Sequence, residues 1–141
     1  MLFRSQRGGV EWAEPRFSPD GGFIGVTRVV NGRHDIVLLS PAGELVRELT
    51  HDVAVDRDPA FSPDGAWLFW SREVLGVPEI VGVALGAGGA PRVFTDAPFG
   101  AYAPAVASDS LFYLAYHHDG YRLEAAARSD SGLGPLGADS T

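Results

Sequence analysis

The chain of 141 residues contains no cysteine and no lysine. Without cysteine there is no disulfide, no thiolate metal site and no thiol nucleophile. Without lysine there is neither a Schiff-base amine nor a phosphate-loop lysine. Positive charge is scarce: eleven arginines face eighteen acidic residues, for a net charge of −7, and no basic run occurs. Nucleic acid and anionic membrane both require concentrated positive charge, so neither is expected as a partner. Long apolar runs are also missing. No stretch approaches the roughly 18 apolar residues of a membrane-spanning helix, and Met1–Trp12 has no apolar core of signal-peptide length. As written, the chain is expected to stay soluble in the cytoplasm; as a piece of a longer protein it would belong in the periplasm or outside the cell.

Hydrophobic residues make up 45% of the chain, enough for a packed core in one ordinary domain. Eighteen glycines and ten prolines favour many short elements joined by turns. The pentapeptide Phe-Ser-Pro-Asp-Gly occurs at Phe17–Gly21 and again at Phe61–Gly65, 44 residues apart. At the same offset Pro15 matches Pro59, Ile24 matches Leu68, Asp35-Ile36 matches Glu79-Ile80, and Gly32 matches Gly76 and then Gly120. Leu49-Thr50 falls on Phe94-Thr95 with one extra residue. A third, worn copy follows: Pro104 lies 45 residues beyond Pro59, and Val106–Ser110 stands where the pentapeptide belongs.

A period near 44 with four short strands per unit is the spacing of a propeller blade. The segments after the turns are rich in aromatic and β-branched residues and lack in/out alternation, as expected of strands buried on both faces. The expected fold is all-β, with about three four-stranded antiparallel blades of a partial or open propeller. The divisions are 1–12 as a lead-in or partial outer strand, 13–56, 57–101 and a degenerate 102–130 as blades, and 131–141 as a flexible tail. In the pentapeptide, proline sets φ for the second turn position, aspartate suits the third, and glycine relieves the exit. Ser18, Pro19, Asp20 and Gly21, and Ser62, Pro63, Asp64 and Gly65, are therefore read as structural turns.

These residues resemble the TolB-like, WD-type β-propeller repeat. Its pattern of Pro-x-aromatic-Ser-Pro-Asp-Gly, an acidic-Ile pair and a closing Leu-Thr is matched by Pro15, Phe17–Gly21, Asp35-Ile36 and Leu49-Thr50. It is matched again by Pro59, Phe61–Gly65, Glu79-Ile80 and Thr95. The resemblance implies the fold. For role it implies either an adaptor or surface protein, or the gating propeller of a prolyl-oligopeptidase-like peptidase.

Three blades do not make a closed ring. The chain is an excerpt of a larger propeller, or half of a six-bladed ring of two chains, or an open array whose faces dock partners.

Chemistry-bearing residues concentrate away from the pentapeptide turns. His51, Asp52, Asp56, Arg57 and Asp58 are read as one inter-blade loop, and Asp96, Phe99 and Tyr102 as the next. Arg33, His34, Glu73, His117 and His118 are assigned to the hairpins between middle strands. Aromatic and arginine side chains among acids suit a protein- or peptide-binding rim. Asp56 and Asp58 offer two oxygen ligands to a hard metal, but the spacing matches no calcium loop. His117 and His118 offer nitrogens, but adjacent strand residues point apart. No Gly-x-Ser-x-Gly elbow or Gly-x-Gly-x-x-Gly fingerprint is present. The expectation is a non-catalytic scaffold without cofactor or metal, the alternative being a peptidase's gating propeller. A metal-dependent lactonase or phytase propeller is a third class.

Overall fold

The structure, a computed structural model, describes residues 9–74, 76–86, 89–129 and 132–135. Three antiparallel sheets follow one another along the chain. The first joins β1 (Val10–Phe17), β2 (Ile24–Val30), β3 (Arg33–Leu39) and β4 (Leu45–Glu48) in that order. The second joins β5 (Val55–Phe61), β6 (Trp67–Val74), β7 (Val77–Ala84) and β8 (Arg92–Val93). The third holds β9 (Ala101–Val106), β10 (Ser110–His117) and β11 (Gly120–Ala127). A two-residue strand, β12 (Gly134–Pro135), returns to pair with β8 of the second sheet. Each sheet is one blade, and the array is open.

The repeated pentapeptide forms the turn between first and second strands. The Ser62 hydroxyl donates to Asp64 Oδ1 at 2.6 Å and accepts the Trp67 amide at 3.0 Å, while the same Asp64 oxygen accepts the Ala66 amide. Ser18, Asp20, Gly22 and Phe23 repeat this set of bonds. Gly21 and Gly65 close the two turns at φ 75° and 73°, which a β-carbon would resist. Two backbone amides in each turn that the chain reversal would orphan are thereby satisfied locally.

The acidic-Ile pair and the closing threonine also have a shared purpose. Thr95 Oγ1 accepts the Ile80 amide at 2.9 Å and donates to Glu79, whose carboxylate also accepts the Ala97 amide. Thr50, Ile36, Asp35 and Asp52 repeat the arrangement in the first blade. This clamp fastens the outer strand and the start of the next connector to the third strand.

A third recurring feature has no constant residue at its centre. Glu14, Asp58 and Ala103 each precede a proline and adopt φ of 59°, 58° and 51°. The ladder shifts register at each place, so every inner strand is bulged.

Blades pack through their middle strands. Ile36 and Leu38 of the first meet Leu68, Trp70, Val81 and Val83 of the second. Phe61 and Leu68 come so close to Gly25 that a β-carbon there would lie 3.2 Å from the Phe61 ring. On the other side Trp67, Phe69, Ile80 and Phe94 meet Ala101 and Leu111 of the third blade. Ser71 adds a hydroxyl bond of 2.9 Å to the Ala101 carbonyl.

The strands begin earlier than the expected divisions, at Val10, Val55 and Ala101. The third blade has three strands among the described residues. The stretch after it, expected as a flexible tail, places Leu133–Pro135 against Arg92 and Val93. The expected outer strand at the start of the chain lies outside the described residues.

Candidate functional site

Up-and-down strands put the turns Asn31–Gly32 and His118–Asp119 at the same end of the array as the connectors 50–54 and 95–100. The pentapeptide turns lie at the opposite end. Both connectors present one apolar side chain to solvent: Val53 is 95% exposed and Phe99 60%. His51, Asp52, Asp96 and His118 are exposed around them, as is Glu73 at the end of β6. Arg33, His34 and His117 are half-buried at strand ends.

Beneath this rim lies an ion-pair network between the first two blades. Arg72, on β6, reaches Asp52 at 2.7 Å and Asp56 at 3.1 Å, and the Trp70 indole donates to Asp56 at 2.9 Å. Arg33 binds Asp35 at 2.9 Å. Burial pushes the Asp56 carboxyl up to about 6, against the pull of Arg72 and the Trp70 bond. Burial opposes the charge on Arg72, yet Asp52 and Asp56 hold its pKa above the ordinary value. Asp35, Asp52 and Asp56 bring carboxylate oxygens within 4.8 Å of one another, the spacing of a cation cradle. Their lone pairs are directed at two guanidiniums and an indole, so the donor set fits a charge-balanced strut better than a hard metal.

Asp56, Arg57 and Asp58 therefore belong to strand β5, correcting their assignment to a loop. Asp56 tolerates the strand interior because Arg72, directly opposite in the ladder, and Trp70 satisfy it. Asp58 sits at the bulge on the inner edge. Its amide donates to Glu14 Oε1 at 3.0 Å, and the Thr27 hydroxyl donates to the same oxygen at 2.8 Å. Burial, with the Glu14 carboxyl beside it, pushes Asp58 up to about 6. Burial would raise Glu14 too, but the Asp58 amide and carboxyl and the Thr27 hydroxyl hold it below its usual range.

Tyr102 is likewise a strand residue, on β9, stacked edge-to-face on Tyr121 at 5.7 Å. The histidines do not converge. His34 lies 3.2 Å from the Gly32 carbonyl, His51 is 3.5 Å from Glu48, and His117 is 2.8 Å from Glu124. Val53, Glu14 and Arg72 escaped the sequence reading. Val53 shares a connector with His51, and only the exposed apolar Phe99 in the next connector would have drawn notice to it.

At the opposite end, the two pentapeptide turns flank an open cleft of about 340 Å³ lined by Pro19, Phe23 and Pro63. Its serines and aspartates are engaged within their own turns.

No family profile and no curated protein matches the chain. Solved structures do. A putative TolB from Agrobacterium tumefaciens aligns over 89% of this chain and 53% of its own, at 20% identity and TM-score 0.66. TolB from Acinetobacter baumannii aligns over 89% and 32%, at 18% identity and TM-score 0.71. A puromycin-hydrolyzing peptidase from Mycobacterium tuberculosis aligns over 91% and 25%, at 22% identity and TM-score 0.65. The chain thus spans about half of the first protein and a third or less of the other two.

Proposed function

Because the chain carries a TolB-like β-propeller fold, we propose that it is a non-catalytic scaffold whose connector end binds a protein or peptide segment. The observation that carries this reading is the pair of exposed apolar residues, Val53 and Phe99, one in each of two successive connectors. Apolar anchors ringed by mixed charge are the composition of a recognition patch. The repeated hydroxyl–carboxylate couples support it from the other side, being spent inside turns at the far end. Peptides selected by display against the folded protein provide the test. Val53→Asp together with Phe99→Asp is expected to abolish their binding with the circular-dichroism spectrum unchanged. Equal binding to this variant would sink the reading.

The likeness to a peptidase favours a second reading, a gating propeller excerpt. A Gly-x-Ser-x-Gly elbow in the adjoining sequence of a longer protein would distinguish it. In that case the same connector end would face a hydrolase domain.

A further inference from the structure

We propose that β11 is a self-pairing edge, and that two copies of this chain join antiparallel, β11 on β11, about a two-fold axis at Leu123.

Every other outer or inner edge among the described strands is blunted. The inner strands β1, β5 and β9 carry Pro15, Pro59 and Pro104 and a bulge apiece. Strand β4 has four residues and a register shift, and β8 is partly covered by β12. Proline, bulges and short length are the devices that keep sheet edges from pairing with other chains. Strand β11 has none of them. It runs eight residues, contains no proline, and pairs with β10 in eight successive registers without a shift. No described residue pairs with its outer edge, the place that β4 and β8 fill in the other blades.

Its sequence is complementary to itself when reversed. With the axis at Leu123, Arg122 stands opposite the partner's Glu124, and Glu124 opposite the partner's Arg122. Leu123 meets its own counterpart, and Tyr121 lies against the partner's Ala125. Opposite residues in an antiparallel pair share a face, so two unlike-charge pairs form on one side and the apolar contacts on the other. Leu123 and Tyr121 are the exposed apolar residues of this strand, at 70% and 60%. Arg122 now pairs with Asp119, and Glu124 with His117, all partly exposed, so re-pairing removes no buried bond. A second copy at −7 would otherwise be repelled, which makes local charge complementarity decisive.

A head-to-tail ring of two chains is the competing assembly. It would lay the open face of the third blade, with Leu114, Tyr116, Tyr121 and Leu123, on the far face of the first. There Ile24, Val26, Val37 and Leu39 are already buried. In hairpin register the third blade also carries Leu114 where the other two carry Thr27 and Ser71, so a larger side chain stands on the face that would have to approach.

Sedimentation equilibrium at tens of micromolar is expected to give twice the 15.0 kDa chain mass. Arg122→Glu and Glu124→Arg, each placing like charges opposite, should each weaken association by about tenfold or more, and the double variant should restore it. Circular dichroism checks that each variant folds. A monomeric wild type overturns the proposal. So does a dimer indifferent to both single reversals, the result expected of a ring or of face-to-face packing. A folded double variant that stays monomeric overturns the register.

Discussion

Asp58 is a residue whose ionisation bears directly on the fold. Its carboxyl titrates in the folded chain at about 6, against an ordinary 3.8, because it is half-buried beside Glu14. Arg57 on β5 and Arg16 on β1 face it and pull the other way. A folded pKa raised above the unfolded one means the native state holds the proton more tightly. The stabilisation is complete below pH 4 and lost as pH rises through 6. Asp58→Asn keeps the hydrogen-bonding shape and suits the positive φ. It is expected to melt higher than wild type at pH 7 and no higher at pH 4. Equal melting temperatures across that range would refute the effect. Asp56 behaves differently on truncation, since Asp56→Ala leaves the Trp70 indole and one Arg72 contact unpartnered in the interior. A loss of about 2–4 kcal/mol is expected in urea unfolding. Both acids were visible in the sequence as a cluster. What the sequence did not reveal was their place on a strand, because a chain of Val-Asp-Arg-Asp before proline reads as loop chemistry until Arg72 and Glu14 are brought across from residues 16 and 44 positions away.

At the scale of elements, the turn motif and the threonine clamp explain why some letters of the repeat persist. Ser62→Ala removes a buried hydroxyl that both donates to Asp64 and accepts the Trp67 amide. It should cost about 1–3 kcal/mol. Ser110→Ala, near the third turn where that network is lost, should change stability by less than about 0.5 kcal/mol. Comparable losses at both sites would contradict the assignment. These turns were legible because proline, aspartate and glycine do their work through identity. The inner-strand bulges were not legible, although equally regular: Glu14, Asp58 and Ala103 share a backbone conformation but no side-chain type. The only sequence trace is the proline that follows each. Close approaches were hidden for a similar reason. Gly82 reads as one glycine among many, yet a β-carbon there would fall 2.5 Å from the Phe69 ring. Gly82→Ala is accordingly expected to destabilise by about 1–3 kcal/mol through overpacking.

For the molecule as a whole, the blade count followed from the period, but the inequality of the three blades did not. Stability in a stacked array is the sum of each unit's own folding and the interfaces it makes with its neighbours. The second blade has a neighbour on both faces, and its Leu68, Phe69, Trp70 and Ile80 are wholly buried. The third has one neighbour, no fourth strand among the described residues, and Leu114, Tyr116, Tyr121 and Leu123 in solvent. It is held to the second through Ala101, Leu111, the Ser71 hydroxyl and the contact of Arg128 with Asp64. Local opening free energy should therefore fall from the second blade to the third. In native-state hydrogen exchange, amides of β10 and β11 are expected to exchange through sub-global opening, while those of β6 and β7 wait for global unfolding. The first blade should track the second, because its Val26, Ile36, Val37 and Leu39 are buried on both faces. If dilution below the dissociation constant speeds exchange in β11 alone, the edge is protected by a second copy. Uniform protection of all three blades at every concentration would mean that the array unfolds as a single cooperative unit and that the open face costs it nothing.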